Sequence, residues 1–174
     1  SGTAATADLS LSVEETLPKK KNTGSMVPQR ESALATAMNT SNACVDGNTN
    51  IVCKVYTIKV TNNSTAQVKV DGTIKFANST NMPNLKWRLV TGVNTLGSNA
   101  TNSANNSNTQ TFVSNESLTK SGGTMTYYII VWINAQMDTD QPTKEVSQTD
   151  RGTFTATIDF KSSDGLGVTS TITG

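Results

Sequence analysis

Apolar and polar residues alternate one for one in several separate stretches of this chain. Leu9, Leu11 and Val13 alternate with Asp8, Ser10 and Ser12, the two-residue period of a strand with one buried face, which predicts a first strand over 7–14. Residues 52–61 (VCKVYTIKVT) read as a strong strand. Asn62-Asn63-Ser64-Thr65 turns it into a second strand, 67–77, bent at Asp71-Gly72. Over 85–91, Leu85, Trp87 and Leu89 fall on one side and Lys86, Arg88 and Val90 on the other, as in a sheet with one wet face; Trp87 is a core residue in that reading. The most apolar run, 124–134 (TMTYYIIVWIN), belongs at the centre of a sheet with both faces covered. Residues 152–160 and 167–173 give the last two strands, joined across Ser163-Asp164-Gly165.

The intervening segments lack that alternation. QRESALATAM at 29–38 favours helix, with Leu34 and Met38 four apart, and is the one short helix predicted. Residues 18–28, with Lys19-Lys20-Lys21 and Gly24, read as an exposed flexible connector. Residues 97–109 are Ser, Asn, Ala and Thr, too polar to pack, and are expected to form a long surface loop. About eight short strands, one helix and no alternation of strand with helix argue for an all-β fold. The expected form is an antiparallel two-sheet sandwich with jelly-roll or Ig-like connections. The chain divides into an N-terminal extension strand (1–17), the connector (18–28) and a sandwich body (29–174).

Charge and composition narrow the function. The 174 residues carry a formal charge of +1, with basic residues scattered, so no nucleic acid or anionic membrane surface is expected as a partner. Histidine is absent, which removes the commonest general base and transition-metal ligand. Cys44 and Cys53 flank Asp46-Gly47-Asn48, a turn that brings the chain together, so a local disulfide is expected. Such a bridge belongs to an oxidising, extracytoplasmic compartment. No long apolar run predicts a membrane span, and the small polar start, Ser1 to Thr6, reads as a mature end after leader cleavage.

The candidate chemistry is sparse. Ser and Thr are abundant, yet no base, nucleophile elbow or Ser-x-x-Lys motif accompanies them, so no catalytic residue, cofactor or metal site is predicted. Asp138, Asp140, Glu145 and Asp150 could gather Ca²⁺ but lack fixed ligand spacing, and a solvated acidic turn is the preferred reading. Sequons at Asn39, Asn62, Asn63, Asn78, Asn99, Asn105 and Asn115 are candidate glycan acceptors, all in or beside expected turns. Tyr127, Tyr128 and Trp132 could stack a sugar, although Tyr127 and Tyr128 point to opposite faces of a strand, which favours core packing. The first strand, set apart by the Lys-rich connector, has the alternate apolar anchors Leu9, Leu11 and Val13 of a donor that completes a neighbour's open sandwich. Equal weight goes to the alternative that it pairs within its own domain.

At VCKVYTIKVTNNS, TYYIIVWIN and TDRGTFTATIDFKSSDGLGVTSTI the chain resembles exported fibre subunits of the TasA and camelysin type, SipW-dependent surface proteins, and archaeal bundling pilins in fold class. The likeness is one of pattern and covers about the C-terminal two thirds. It implies a jelly-roll that polymerises by donor-strand exchange into pilus or biofilm-matrix fibres, with residues 3–13 as donor. The Cys44–Cys53 pair departs from that pattern, and the lack of histidine argues against carrying over the metallopeptidase label sometimes given to camelysins. The expected partners are identical subunits, with neighbouring fibres or host-surface glycans beyond them, and the expected place is the extracellular cell surface. The alternative is a monomeric adhesin or carbohydrate-binding module.

Overall fold

Two antiparallel sheets face each other across an apolar interior in the computed structural model, which describes residues 7–19, 25–77, 79, 81–150 and 152–174. The strands are β1 (Leu9–Leu17), β2 (Lys54–Asn62), β3 (Val68–Ala77), β4 (Leu85–Val90), β5 (Asn102–Ser103), β6 (Thr109–Leu118), β7 (Gly123–Ile133), β8 (Thr155–Ser162) and β9 (Gly167–Thr173). One sheet has the order β1-β2-β7-β4-β5 and the other β6-β3-β8-β9. The β2–β3, β3–β4, β5–β6, β6–β7 and β7–β8 connections all cross between sheets, so the layers are laced together and the sandwich expected from the alternation is the fold observed. A 3₁₀ turn at Glu31–Ala33 runs into α1 (Leu34–Ala37), shorter than the ten residues predicted.

The inner faces meet as the alternation requires. Ile58 and Val60 of β2, Ile74 and Phe76 of β3, Leu85 and Trp87 of β4, Ile129 and Val131 of β7, and Ile158 and Phe160 of β8 form one buried cluster. Trp87 is buried, and its indole N–H donates to Gln110 Oε1 at 3.1 Å, satisfying the one polar atom that burial would otherwise strand. Gly72 sits where β3 shifts register against β6. A Cβ there would lie 2.7 Å from the Phe160 ring, so the bend predicted at Asp71-Gly72 is a close approach that excludes a side chain.

The outer face of the five-stranded sheet is dry at one end, as expected for 124–134 but not for 85–91, while Ser10, Ser12, Glu14 and Lys59 leave its other end exposed. Leu17, Val55, Val90, Ile130 and Trp132 pack at the dry end against Leu34, Ala37, Met38, Val52 and the two cysteines in a second buried cluster. Residues 25–53 therefore form a covering layer over that end of the sheet, with the Cys44–Cys53 turn inside it. Cys44 and Cys53 are bonded, with Cα atoms 5.0 Å apart and both residues fully buried. A Val27 N–H to Ile51 carbonyl bond at 2.9 Å holds the layer together, and Gln29 ties it to the end of β7, its N–H donating to the Ile133 carbonyl at 2.9 Å and its carbonyl accepting from Ala135 at 3.0 Å. So the C-terminal part of the expected connector, from Ser25 on, is packed; Lys20 to Gly24 lie outside the described residues.

Two other expectations change. Residues 97–109 are not simply a surface loop: β5 pairs with β4 through Lys86 and Trp87, and Ala104 is buried, its carbonyl accepting from the Ser79 hydroxyl at 3.0 Å. Strand β6 was not legible from alternation. Its partner register with β3 shifts twice, and Asn115 adopts φ 51, so bulging breaks the two-residue period that would have marked it.

Candidate functional site: the first strand and its groove

β1 is the edge of the five-stranded sheet, with β2 as its main-chain partner. The register sets Leu9 opposite Asn62, Leu11 opposite Val60 and Val13 opposite Ile58, so the three predicted anchors share one face and point into the inner cluster. Strand β9 of the other sheet lies alongside, and its Val168 and Ile172 belong to the same cluster. The three anchors close the gap between β2 and β9. Leu9 is buried, whereas Leu11 and Val13 are only half-buried, so each contributes about 1–2 kcal/mol, less than a fully buried aliphatic side chain. In this single chain the strand fills its own groove.

The two ends of β1 are held differently. At the N-terminal end, the Ala7 amide donates to Asp164 Oδ2 at 3.2 Å and the Asp8 amide to Ser64 Oγ at 2.7 Å. The Asn63 amide donates to the Asp8 carbonyl at 2.8 Å, and Asn63 Nδ2 to Ser10 Oγ at 3.1 Å. These partners lie on two turns, Asn62–Ala66 and the β8–β9 turn. Asp164 is fully exposed and its carboxyl is held below the usual carboxylate value by the Ser162 hydroxyl first, then by the amides of Leu166 and Ala7. At the other end the register shifts between Glu15 and Leu17. That bulge carries Leu17 through to the covering layer, where it is fully buried. Glu15 pairs with Lys54 at 3.1 Å. It lies opposite Tyr56, whose phenol is raised far above its ordinary value, by burial first and the Glu15 charge second, and whose Oη has no hydrogen-bond partner.

Asn62 is the residue that sequence reasoning misplaced. As a sequon it reads as a glycan acceptor, yet it is fully buried. Its Nδ2 donates to the carbonyls of Ala66, Leu118 and Thr119 at 3.0–3.1 Å, and its Oδ1 accepts the Ser64 amide at 2.9 Å. An amide so engaged is structural, and a glycan on it is incompatible with the folded chain. Asn63, Asn99 and Asn115 are exposed and Asn39 and Asn105 half-buried, while Asn78 lies outside the described residues. The signal for Asn62 was available: an Asn opening a tight turn caps its own backbone two residues on.

The other candidates disperse. Trp132 is fully buried in the outer cluster, Tyr128 packs against that cluster, and Tyr127 packs against the inner one. Tyr127 stacks on Phe160 at 5.9 Å, and burial, with the Glu116 charge, pushes its phenol up to about 12. The trio is therefore packing, not a sugar platform. Three of the four carboxylates of the acidic linker have separate partners: Asp138 accepts from the Asp140 amide, Glu145 pairs with Arg30 at 2.6 Å, and Asp150 accepts from Asn84 and Gln148. No group of three or more metal-ligating side chains occurs among the described residues, and no helix there is long and apolar enough to cross a membrane.

No family model matches the chain, and no curated protein matches it significantly. Among solved structures it is similar to a FixG-related protein from Vibrio parahaemolyticus, with 12% identity over 95% of this chain and 93% of that one and a TM-score of 0.43. It is also similar to the provisionally named ApaA protein from Bordetella pertussis, with 12% identity over 95% and 89% and a TM-score of 0.27. Likeness at that level carries no functional argument.

Proposed function

We propose that the chain is a structural subunit of an extracellular filament and that copies are joined head to tail by exchange of β1. The supporting observation is that β1 is an edge strand whose described ties, the β2 ladder, the apolar groove, the two turns, the Glu15–Lys54 pair and the covering layer around Leu17, are to residues that a second copy also presents. Exchange therefore replaces the cis contacts with the same contacts in trans, which makes it a low-cost route to assembly. When each subunit gives its strand to the next, the contact is heterologous and propagates instead of closing. The disulfide fits an oxidising, extracytoplasmic setting.

Electron microscopy of the full chain beside a chain lacking residues 1–14 tests this reading. Fibres from the full chain alone support exchange. Because the truncated chain lacks part of its core and can fail to fold, a synthetic peptide of residues 7–17 is added to it in parallel. Recovery of a cooperative melt without fibres supports a groove that accepts the strand in trans, and compact monomers from the full chain at every concentration overturn the reading.

The second reading, a monomeric adhesin or carbohydrate-binding module, has one observation in its favour. The outer face of the four-stranded sheet is uncovered and holds an open groove of about 540 Å³ whose lining includes Thr73, Lys75, Thr157, Asp159 and Thr169. Hydroxyls and charges in that array could hydrogen-bond sugar hydroxyls, and binding to a glycan array without fibre formation would favour it.

A further inference from the structure

The four sheet edges are not equally defended against pairing with another chain. β1 carries Glu14, Glu15 and a bulge, with Pro18 just beyond it. β5 is two residues long. β6 is bulged, and its half-buried Glu116 lies opposite the core residue Val70, on the inward-facing side. These are the devices that keep strand edges from associating: charge, irregularity, shortness and inward-pointing charge. β9, GVTSTIT, has none of them. It is seven residues long, uncharged, free of proline, and in unbroken register with β8.

Its main chain is also oriented for pairing. Phe154 and Gly174 exchange both amide–carbonyl bonds, at 3.1 and 2.9 Å. Antiparallel alternation then makes Ile172, Ser170 and Val168 the residues bonded to β8. The amides and carbonyls of Gly167, Thr169, Thr171 and Thr173 are left pointing away from β8, toward the open edge. Those three threonines are exposed. At the head of the strand stands Leu166, 45% exposed and one of two large apolar residues so exposed among the described residues.

We infer that β9 is an association edge whose partner is β9 of a second copy, paired antiparallel about a two-fold axis at Ser170. In that register Thr169 meets the second copy's Thr171 and Gly167 its Thr173, so all the outward residues fall in hydrogen-bonded pairs. Thr–Thr pairs face each other on the outer side, which is favourable, Val168 meets Ile172 on the inner side, and Leu166 lies over the end of the neighbouring strand. No charge opposes a like charge, because β9 has none and the nearest, Asp159 and Lys161, lie one strand back and pair with each other at 3.6 Å. The self-match selects a second copy as the occupant over an unrelated strand. The contact joins two four-stranded sheets into one; β1 lies alongside β9 but takes its main-chain ladder from β2, so the β9 contact uses a different set of main-chain groups from the filament reading. One short ladder is small beside a standard interface, so free copies associate weakly and reversibly.

Cross-linking in the full chain reads this contact directly. Ser170→Cys places a thiol on the two-fold axis, opposite its own copy. The native disulfide is fully buried and there is no free cysteine, so the new thiol is the reactive one. Under mild oxidation, Ser170→Cys is expected to give covalent dimer about tenfold faster than Ser98→Cys, an exposed position off the edge, because pairing raises the local thiol concentration. Adding Thr171→Pro removes an outward amide that β8 does not use and should return the rate to that of Ser98→Cys. Thr169→Lys, which keeps every main-chain bond to β8 and gives up only the Thr169 hydroxyl's bond to Asp159 Oδ1 at 3.1 Å, should slow it in the same direction should the proline variant fail to fold. Cross-linking no faster than Ser98→Cys, or unchanged by both edge variants, overturns the inference. Fibre formation is scored separately, so loss of one contact is distinguishable from loss of the other.

Discussion

β1 and β7 lie in the same sheet, and both read as strands, β1 from its alternation and β7 from its apolar run, but they are held to very different degrees. β7 is bonded on both sides, to β2 and β4, and from Ile129 to Ile133 every residue is buried, with even positions under the covering layer and odd positions in the sandwich. β1 is bonded on one side, buries Leu9 and Leu17 fully, and leaves Leu11 and Val13 half-exposed. A strand with neighbours on every side can leave only when the domain unfolds. A strand at an edge with a shallow apolar face can leave alone. The difference separates the part of the sheet that defines the fold from the part available for exchange.

Damage to β7 should be the most costly way to probe that difference. Trp132→Ala empties a fully buried site, and a loss of about 3–5 kcal/mol in chemical unfolding is expected. Cys44→Ala with Cys53→Ala releases the layer over β7's outer face, and a loss of about 3 kcal/mol is expected for a ring of this size. A double variant as stable as the parent would show that the layer is held by packing alone. Asn62→Ala strands three carbonyls at the junction of β1, β2 and β7 and should cost about 1–3 kcal/mol. Leu11→Ala should cost about 1–2 kcal/mol, because the site is open to water and collapses easily. Hydrogen exchange by mass spectrometry sharpens the contrast: β1 amides should exchange through a local opening below the global stability, β7 amides only with global unfolding. Equal protection in the two strands would remove the basis for exchange.

The strands that the sequence shows clearly are those whose environment is regular. β2, β4, β8 and β9 keep a two-residue period and β7 a continuous apolar run, with the β2–β7, β4–β7, β3–β8 and β8–β9 pairs all in unbroken register. β6 escapes because its bulges place Phe112 and Val113 consecutively against the interior. The covering layer escapes for another reason. Val90, Ile130 and Trp132 announce a second apolar face, but residues 25–53 are joined by isolated bridges, Met26 and Val45 to Ile51 within the layer and Gln29 to Asn134 beyond β7, that have no local sequence period. For the groove, Leu9, Leu11 and Val13 were legible as anchors, whereas the walls and latches were not. Ser64 and Asp164 contact β1 across 56 and 157 residues, and nothing local in a turn records so distant a partner.

The smallest expected effect concerns the latch at the start of β1. Asp164 has a carboxyl lowered in the folded chain by the Ser162 hydroxyl and by the Leu166 and Ala7 amides. A group with a depressed folded value stabilises the fold above its unfolded value, near the ordinary 3.8 of an aspartate, and that stabilisation is lost as pH falls through the depressed value. Acidification from neutral pH to below the carboxylate range should therefore loosen the Ala7 end of β1 while leaving β7 protected. In Asp164→Asn the amide oxygen can still accept from Ala7 but does not titrate, so this part of the acid response should flatten. Protection factors at Ala7 and Asp8, corrected for intrinsic exchange and followed from pH 6 to about pH 2.5, provide the measurement. If the parent and Asp164→Asn fall together, the loosening arises elsewhere in the groove, and the turn at Asp164 does not set how readily β1 leaves.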